Sequence, residues 1–275
     1  MNIVFPKNNG QHYYNIHYRY ILNILRNIPE VNISLTELPE DLGNTAFKCY
    51  IDGKLVIFSF TDNMYRFGNS EQTALNLITD IPIFKFHYGV DNNFSDNVIP
   101  FTPVSFHNWK VFFENANEIN YSCNSNIILN NQALSGGAKQ RREFVRVLLK
   151  QKYMDLVDIS IYPKLDYWKK INNCLVSVCV PGYCNNMLDR GHIQFMAFGA
   201  CTISPHLPEI LPFNATLIPD VHYIMCKDDY SDLISKIEWC KNNTSSCVEI
   251  GNAASKLFNQ IGTPNNLWNW IIKNV

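Results

Sequence analysis

Apolar and polar positions along the chain switch repeatedly between a period near two and a period near 3.6. That switching predicts alternating strands and helices. Residues 2–5 read as a short buried strand, closed by Pro6 and an Asn8-Asn9-Gly10 turn. Residues 11–28 then place Tyr14, Tyr18, Ile21, Leu22, Leu25 and Ile28 on one helical stripe. A strand, a glycine turn and a helix in this order suggest a Rossmann-like lobe, although Gly10 alone is no dinucleotide fingerprint. Asp52-Gly53 marks a hairpin turn before a strong strand over 55–60. A helix is expected over 70–78 and a strand over 81–88, where Lys85 and His87 alternate with Phe84 and Phe86. Residues 89–125 are irregular, broken by Pro100, Pro103 and several Asn, and the connection between two lobes is placed there.

Beyond that stretch the alternation sharpens. Strands are expected over 125–129, 157–161, 174–180 and 200–204, with short ones over 216–218 and 222–226. The intervening helices are expected over 138–153, 165–171, 189–198, 229–242, 246–261 and 265–273. Such alternation implies α/β lobes, each with a parallel sheet covered on both faces, and ligands beyond the carboxyl ends of the strands.

Composition narrows the function classes. The chain has 275 residues, 23 Lys+Arg against 24 Asp+Glu, and a net charge of -1. That length suits one large domain or two modest lobes. Near-neutrality argues against a nucleic-acid binder held by phosphate contacts and against a polybasic membrane surface. No run approaches the ~20 apolar residues of a membrane span. The N-terminus has neither the basic nor the apolar region of a signal peptide. Nine scattered Cys, an odd number, fit a reducing compartment rather than a disulfide framework. Cys174, Cys179 and Cys184 are five apart, a spacing foreign to zinc sites. Asn, spread along the whole chain, reads as coding bias of an A/T-rich genome. The expected compartment is the cytoplasm, bacterial, or the host's if the chain is viral.

Four places carry candidate chemistry. Ser135-Gly136-Gly137-Ala-Lys139-Gln-Arg141-Arg142 follows a strand and opens a helix. Free backbone N–H groups, the helix dipole and three cations converge there, as a diphosphate requires. A glycine turn before a solvated basic helix explains the same residues, and the P-loop spacing is absent. Arg190 and His192 fall in the first turn of the helix starting at Asp189, where a cation opposes the dipole and calls for an anion. Asp189 as an N-cap paired with Arg190 is the simpler alternative. His222 and Tyr223 precede a strand, and the acids of Lys227-Asp228-Asp229 beyond them suit a helix cap or a metal. Asp62, directly after the 55–60 strand, is placed to act as a general base, with Arg66 near enough to hold it ionised, or else belongs to a turn.

Taken together these segments resemble GT-B glycosyltransferases, above all glycosyltransferase family 90, the capsule-associated and protein O-glucosyl/O-xylosyl transferases. A weaker exostosin-like echo lies in the same helix. His222-Tyr-Ile-Met-Cys-Lys-Asp-Asp-Tyr-Ser-Asp-Leu-Ile-Ser-Lys-Ile-Glu-Trp239 is similar to that family's His-Tyr-(Ile/Val)-Pro-Val, acidic Ser-Asp-Leu, Lys-Ile and Trp pattern, with Met225-Cys226 in place of Pro-Val. Arg190 and the following Phe198-Gly-Ala-Cys-Thr-Ile203 resemble its Arg, helix, Gly-x-x-(Val/Ile) segment. The Gly136-Gly137 turn before Arg141 and Arg142 resembles its Gly-rich turn, and the strand ending in Asp62 resembles its catalytic strand. The resemblance covers roughly 130–262 well and 1–125 faintly.

It implies two Rossmann-like lobes with a crevice between them: an acceptor lobe over 1–120, a nucleotide-sugar lobe over 121–262, and a C-terminal helix over 263–275 packing back on the first lobe. It also implies transfer of a glucose- or xylose-like sugar from a UDP-sugar to a hydroxyl of a glycan or protein, with inversion and no obligatory metal or other cofactor. Asp62 would be the base. Gly136, Gly137, Lys139, Arg141, Arg142, Arg190, His192, His222 and Tyr223 would bind the donor. A nucleotide- or glycan-binding module without turnover is the alternative.

Overall fold

The computed structural model describes the chain apart from residues 8–11, 39–41, 44, 69–71, 102–107 and 183–185, and describes 12–16, 72 and 73 by backbone alone. The Asn8-Asn9-Gly10 turn, the Tyr14 side chain, the start of the 70–78 helix and Cys184 lie outside the described residues. The elements begin with β1 (Asn2–Pro6), α1 (His12–Leu25), β2 (Asn32–Thr36), β3 (Ala46–Ile51), β4 (Lys54–Ser59), α2 (Gln72–Asn76), β5 (Ile83–Phe86), β6 (Tyr88–Gly89), β7 (Val98–Phe101) and α3 (Trp109–Ala116). Then come β8 (Ile128–Leu129), α4 (Lys139–Tyr153), β9 (Val157–Asp158), α5 (Lys164–Ile171), β10 (Val176–Val178), α6 (Arg190–Ala197) and β11 (Thr202–Ser204). The chain closes with β12 (Glu209–Leu211), β13 (Ala215–Thr216), β14 (Ile224–Met225), α7 (Leu233–Asn242), α8 (Thr244–Ile261) and α9 (Pro264–Lys273).

Two compact units result, and neither is one continuous stretch. The first comprises Met1–Trp109, Glu209–Thr216 and Ile261–Val275; the second comprises Lys110–Pro208 and Leu217–Gln260.

The first unit carries a six-stranded sheet in the order β2-β1-β3-β4-β5-β7. It is mixed, which corrects the expectation of a parallel sheet here. β1 and β2, β4 and β5, and β5 and β7 pair in parallel, whereas β3 runs antiparallel to both β1 and β4. The cause is the tight turn at Asp52 (φ 45°) and Gly53 (φ 83°). Two successive positive φ values make the strand reverse on itself, so β3 and β4 form a hairpin. Phenylalanines fill the core: Phe5, Phe47, Phe58, Phe84, Phe101, Phe86 and Phe60 touch in succession, with ring centroids 5.2–6.4 Å apart. β7 and α3 both occupy the stretch that reads as irregular. Pro100 is tolerated because β7 lies at the sheet's edge, where a missing N–H costs no ladder bond. Its carbonyl accepts the indole N–H of Trp270 at 2.8 Å, and α9, which carries Trp270, also packs on α1. A separate three-stranded sheet, β13-β12-β6, brings residues 209–216 against Tyr88–Gly89.

The second unit carries a five-stranded sheet in the order β14-β11-β10-β8-β9, parallel throughout. β8, β10 and β11 are wholly buried, as strands covered on both faces must be. Counted along the chain the order is 2-1-3-4-5, the flavodoxin-like doubly wound arrangement, with its switch point between β8 and β10. α6 starts on Asp189 and stops at Gly199, whose φ of 70° is open to glycine at little cost. The acidic segment near 229 forms turns, and α7 starts only at Leu233.

α8 passes against the backbone of Gly199, just after α6, at Gly251. A Cβ on Gly251 would lie 1.9 Å from the carbonyl oxygen of Gly199. Gly251→Ala is expected to destabilise the chain by at least ~2 kcal/mol in urea unfolding, because backbone must move on both sides. A change under about 0.5 kcal/mol would show that the two segments are not packed this way.

Candidate functional site

In the second unit the sequence leads to the carboxyl ends of β8, β9 and β10. A cavity of about 330 Å³ opens there, lined by Asn131, Gln132, Ser135, Tyr162, Tyr167, Asp189, Arg190 and Gln194 among others. It lies at the switch point of the sheet, where doubly wound folds bind ligands. The Asn131 Oδ1 and Gln132 Nε2 atoms are buried there without a hydrogen-bond partner among the described residues. Orphans of this kind call for a water or a ligand.

The arginines build the walls. Arg142 donates to Ala133 O (2.9 Å) and Val180 O (3.3 Å) and pairs with Asp189 Oδ2 at 3.0 Å. One buried guanidinium thus ties the loop after β8, the loop after β10 and the start of α6 together. Arg141 donates to Pro181 O and Gly182 O, and Arg146 donates to Asn130 O and Gln132 O. Asp189 closes a capping box: its Oδ1 accepts from Gly191 N–H at 2.9 Å, while His192 Nδ1 accepts from Asp189 N–H at 3.1 Å. His192 is therefore a buried capping residue. Arg190 is exposed on the cavity rim, at the first position of α6. Burial, then the nearby Arg190 charge, pulls the Lys164 amine below its ordinary range.

Gly136 has φ 61° and opens a single tight turn over Gly136–Ala138, with Lys139 exposed beyond it. His222 and Tyr223 hold loops: His222 Nδ1 accepts from Ile218 N–H at 3.0 Å, and the buried Tyr223 hydroxyl accepts from Leu207 N–H at 3.1 Å. Burial pulls His222 down and pushes Tyr223 up to about 12. A larger groove of about 810 Å³, walled by Val221, Ile224, Trp239 and Ile250, lies beside β14 at the far edge of this sheet.

In the first unit, Asp62 follows β4 with its side chain 39 % exposed. Around it stand residues that the sequence did not single out for chemistry. His87, between β5 and β6, has Nδ1 3.2 Å from both carboxylate oxygens of Glu209 and Nε2 3.9 Å from Asp62 Oδ1. Glu209 is 1 % exposed. Lys85 is wholly buried, and its ammonium donates to the carbonyls of Thr61 (3.1 Å), Asn63 (2.8 Å), Phe86 (2.5 Å) and His87 (3.3 Å). Asp62 is within electrostatic reach of the buried Lys85, and Arg66 is exposed. Two charged or polar positions in an otherwise apolar strand were the available signal for Lys85 and His87. Glu209 arrives from 122 residues away and had none.

Among the described residues no group of three or more His, Cys, Asp or Glu is placed to hold a metal ion, and the eight described cysteines are free and buried. None of the described helices is long and apolar enough to cross a membrane.

No family model matches the chain. A 46-residue stretch, 17 % of the chain, is 46 % identical to "Uncharacterized protein 179R" of Invertebrate iridescent virus 6. The chain spans about 4 % of the length of that viral protein.

Burial lowers Lys85 from 10.5 to about 7, with Glu209 and then Asp62 pulling it back up. Between those two values the unfolded chain binds a proton that the folded chain has released, so this group's contribution to stability rises with pH from about 7 towards 10. Below about 7 the cost of burying the ammonium is fully present. Urea unfolding of wild type and Lys85→Met at about pH 6.5 and 9 should show the difference moving in favour of wild type as pH rises. A difference that stays constant or moves the other way contradicts the burial of this amine.

Proposed function

We propose that the chain is a GT-B-type glycosyltransferase that moves a glucose- or xylose-like sugar from a UDP-sugar to a hydroxyl of a glycan or protein, with inversion and without an obligatory metal. The observation that carries this reading is the polar cavity at the switch point of the parallel sheet, with Arg190 on its rim at the start of α6. A diphosphate placed there would meet the Arg190 guanidinium, charge stabilisation where a leaving diphosphate develops its charge, while Asp189 keeps the first N–H groups of α6 capped. Ser135 lines the same cavity, and the Gly136 turn beside it lets backbone approach closely. Arg141 and Arg142 act by shaping the walls rather than by facing the donor, and His192, His222 and Tyr223 by holding loops. Asp62, half-exposed after β4, takes the acceptor proton.

A second reading, a nucleotide- or glycan-binding module without turnover, draws on one specific observation. Arg141 and Arg142 spend N–H groups on backbone carbonyls, which leaves fewer for a diphosphate.

Incubating the chain with UDP-sugars and a broad set of sugar and peptide acceptors, and following UDP release and product mass, separates the two. The transferase reading expects acceptor-dependent release that Asp62→Asn abolishes while UDP still binds. It also expects Arg190→Ala to weaken UDP binding about tenfold, the loss of one charge-assisted contact. Near-normal turnover in Asp62→Asn would remove Asp62 as the base. UDP binding without release under any acceptor would favour the binding module.

A further inference from the structure

Asp62 does not stand alone, and the chemistry around it goes beyond a single carboxylate. His87 turns Nδ1 to Glu209, 3.2 Å from both oxygens. An ionised carboxylate only accepts, so the ring nitrogen that faces it carries the proton. In a neutral imidazole this leaves Nε2 as the bare lone pair, the nitrogen 3.9 Å from Asp62 Oδ1. The backbone is committed to the same arrangement. His87 has φ 53°, in the left-handed region that histidine enters more readily than most residues but still infrequently, and its surroundings hold it there. Lys85 enforces it: one ammonium holds the Phe86 and His87 carbonyls on one side and the Thr61 and Asn63 carbonyls on the other. The peptide segments on either side of the Asp62–His87 pair are therefore anchored to one point.

We propose that Asp62, His87 and Glu209 form one proton-accepting unit, in which the proton taken at Asp62 comes to rest on Nε2 of His87 and Glu209 is the positioning residue that fixes the ring's tautomer. This rests on the transferase reading above. The acceptor O–H gives its proton to Asp62 as its oxygen bonds to the anomeric carbon of the donor sugar. The bond from that carbon to the diphosphate breaks, and UDP departs with the electron pair. The proton then moves to Nε2 through one bridging water, 3.9 Å being too long for a direct hydrogen bond, and passes to bulk water after product release. The imidazolium so formed faces the buried Glu209 carboxylate, which pairs its charge.

The test begins without turnover. In the ¹³C,¹⁵N-labelled full chain at neutral pH, the His87 imidazole is assigned by through-bond correlation of its ring to its own backbone. The expected result is a ring protonated at Nδ1 with a bare Nε2, and a shift to the Nε2-protonated form in Glu209→Leu. A wild-type ring protonated at Nε2 overturns the proposal, and this measurement needs no variant to fold. In the transfer assay His87→Asn should lower kcat at least ~100-fold, the usual yield of a positioned proton acceptor, with UDP affinity unchanged. An unchanged kcat overturns the relay and leaves Asp62 as sole base. A wild-type chain that transfers nothing overturns the transferase reading instead, and the tautomer alone then decides whether the ring is built to take a proton.

Discussion

The first unit depends on a single buried ammonium. Lys85 is wholly buried in β5, among apolar and largely aromatic side chains, and an ion there is costly unless every N–H finds an acceptor. Four carbonyls supply them, two flanking Asp62 in the chain and two at Phe86 and His87. Burying this charge and shaping the proposed catalytic corner are therefore one event. A neutral side chain at position 85 would leave four inward-facing carbonyls without their donor. The strand would pack better, and the corner would lose its anchor.

The second unit uses charge for a related purpose at a different depth. Arg142 and Asp189 pair where the loops after β8 and β10 meet the start of α6, and the guanidinium also serves two carbonyls. A partly buried pair with every group satisfied contributes little net stability, but it fixes geometry. What it fixes is the rim of the switch-point cavity, with Arg190 on it. Net charge near zero thus conceals two local constructions in which cations are consumed by backbone.

How legible this was in the sequence follows the range of each interaction. The second unit's order of strands and helices was readable because buried parallel strands and amphipathic helices carry strong local periods, as 174–180 and 138–153 do. The Asp189 cap and the Gly199 stop were likewise local. The hairpin at Asp52-Gly53 was readable too, yet its consequence, a mixed sheet, was not carried through. β7 was hidden by Pro100, which is harmless only at an edge, and edges are a tertiary property. The candidate site was legible in part. Asp62 stood out by following a strand. The roles of Arg141 and Arg142 did not, because a basic run looks the same whether it faces a phosphate or folds onto carbonyls. Glu209 was beyond reach, since its partner His87 is far away in sequence and the two meet only through β6 and β12.

The central claim is that the switch-point cavity of the second unit is a nucleoside-diphosphate site. A crystal structure of the full chain grown with UDP tests it most directly. The diphosphate is expected within hydrogen-bonding distance of the Arg190 guanidinium, with the orphaned Asn131 and Gln132 atoms taking partners from the nucleotide or its waters. UDP bound in the groove beside Trp239, or a cavity that stays filled with water alone at saturating UDP, would contradict it.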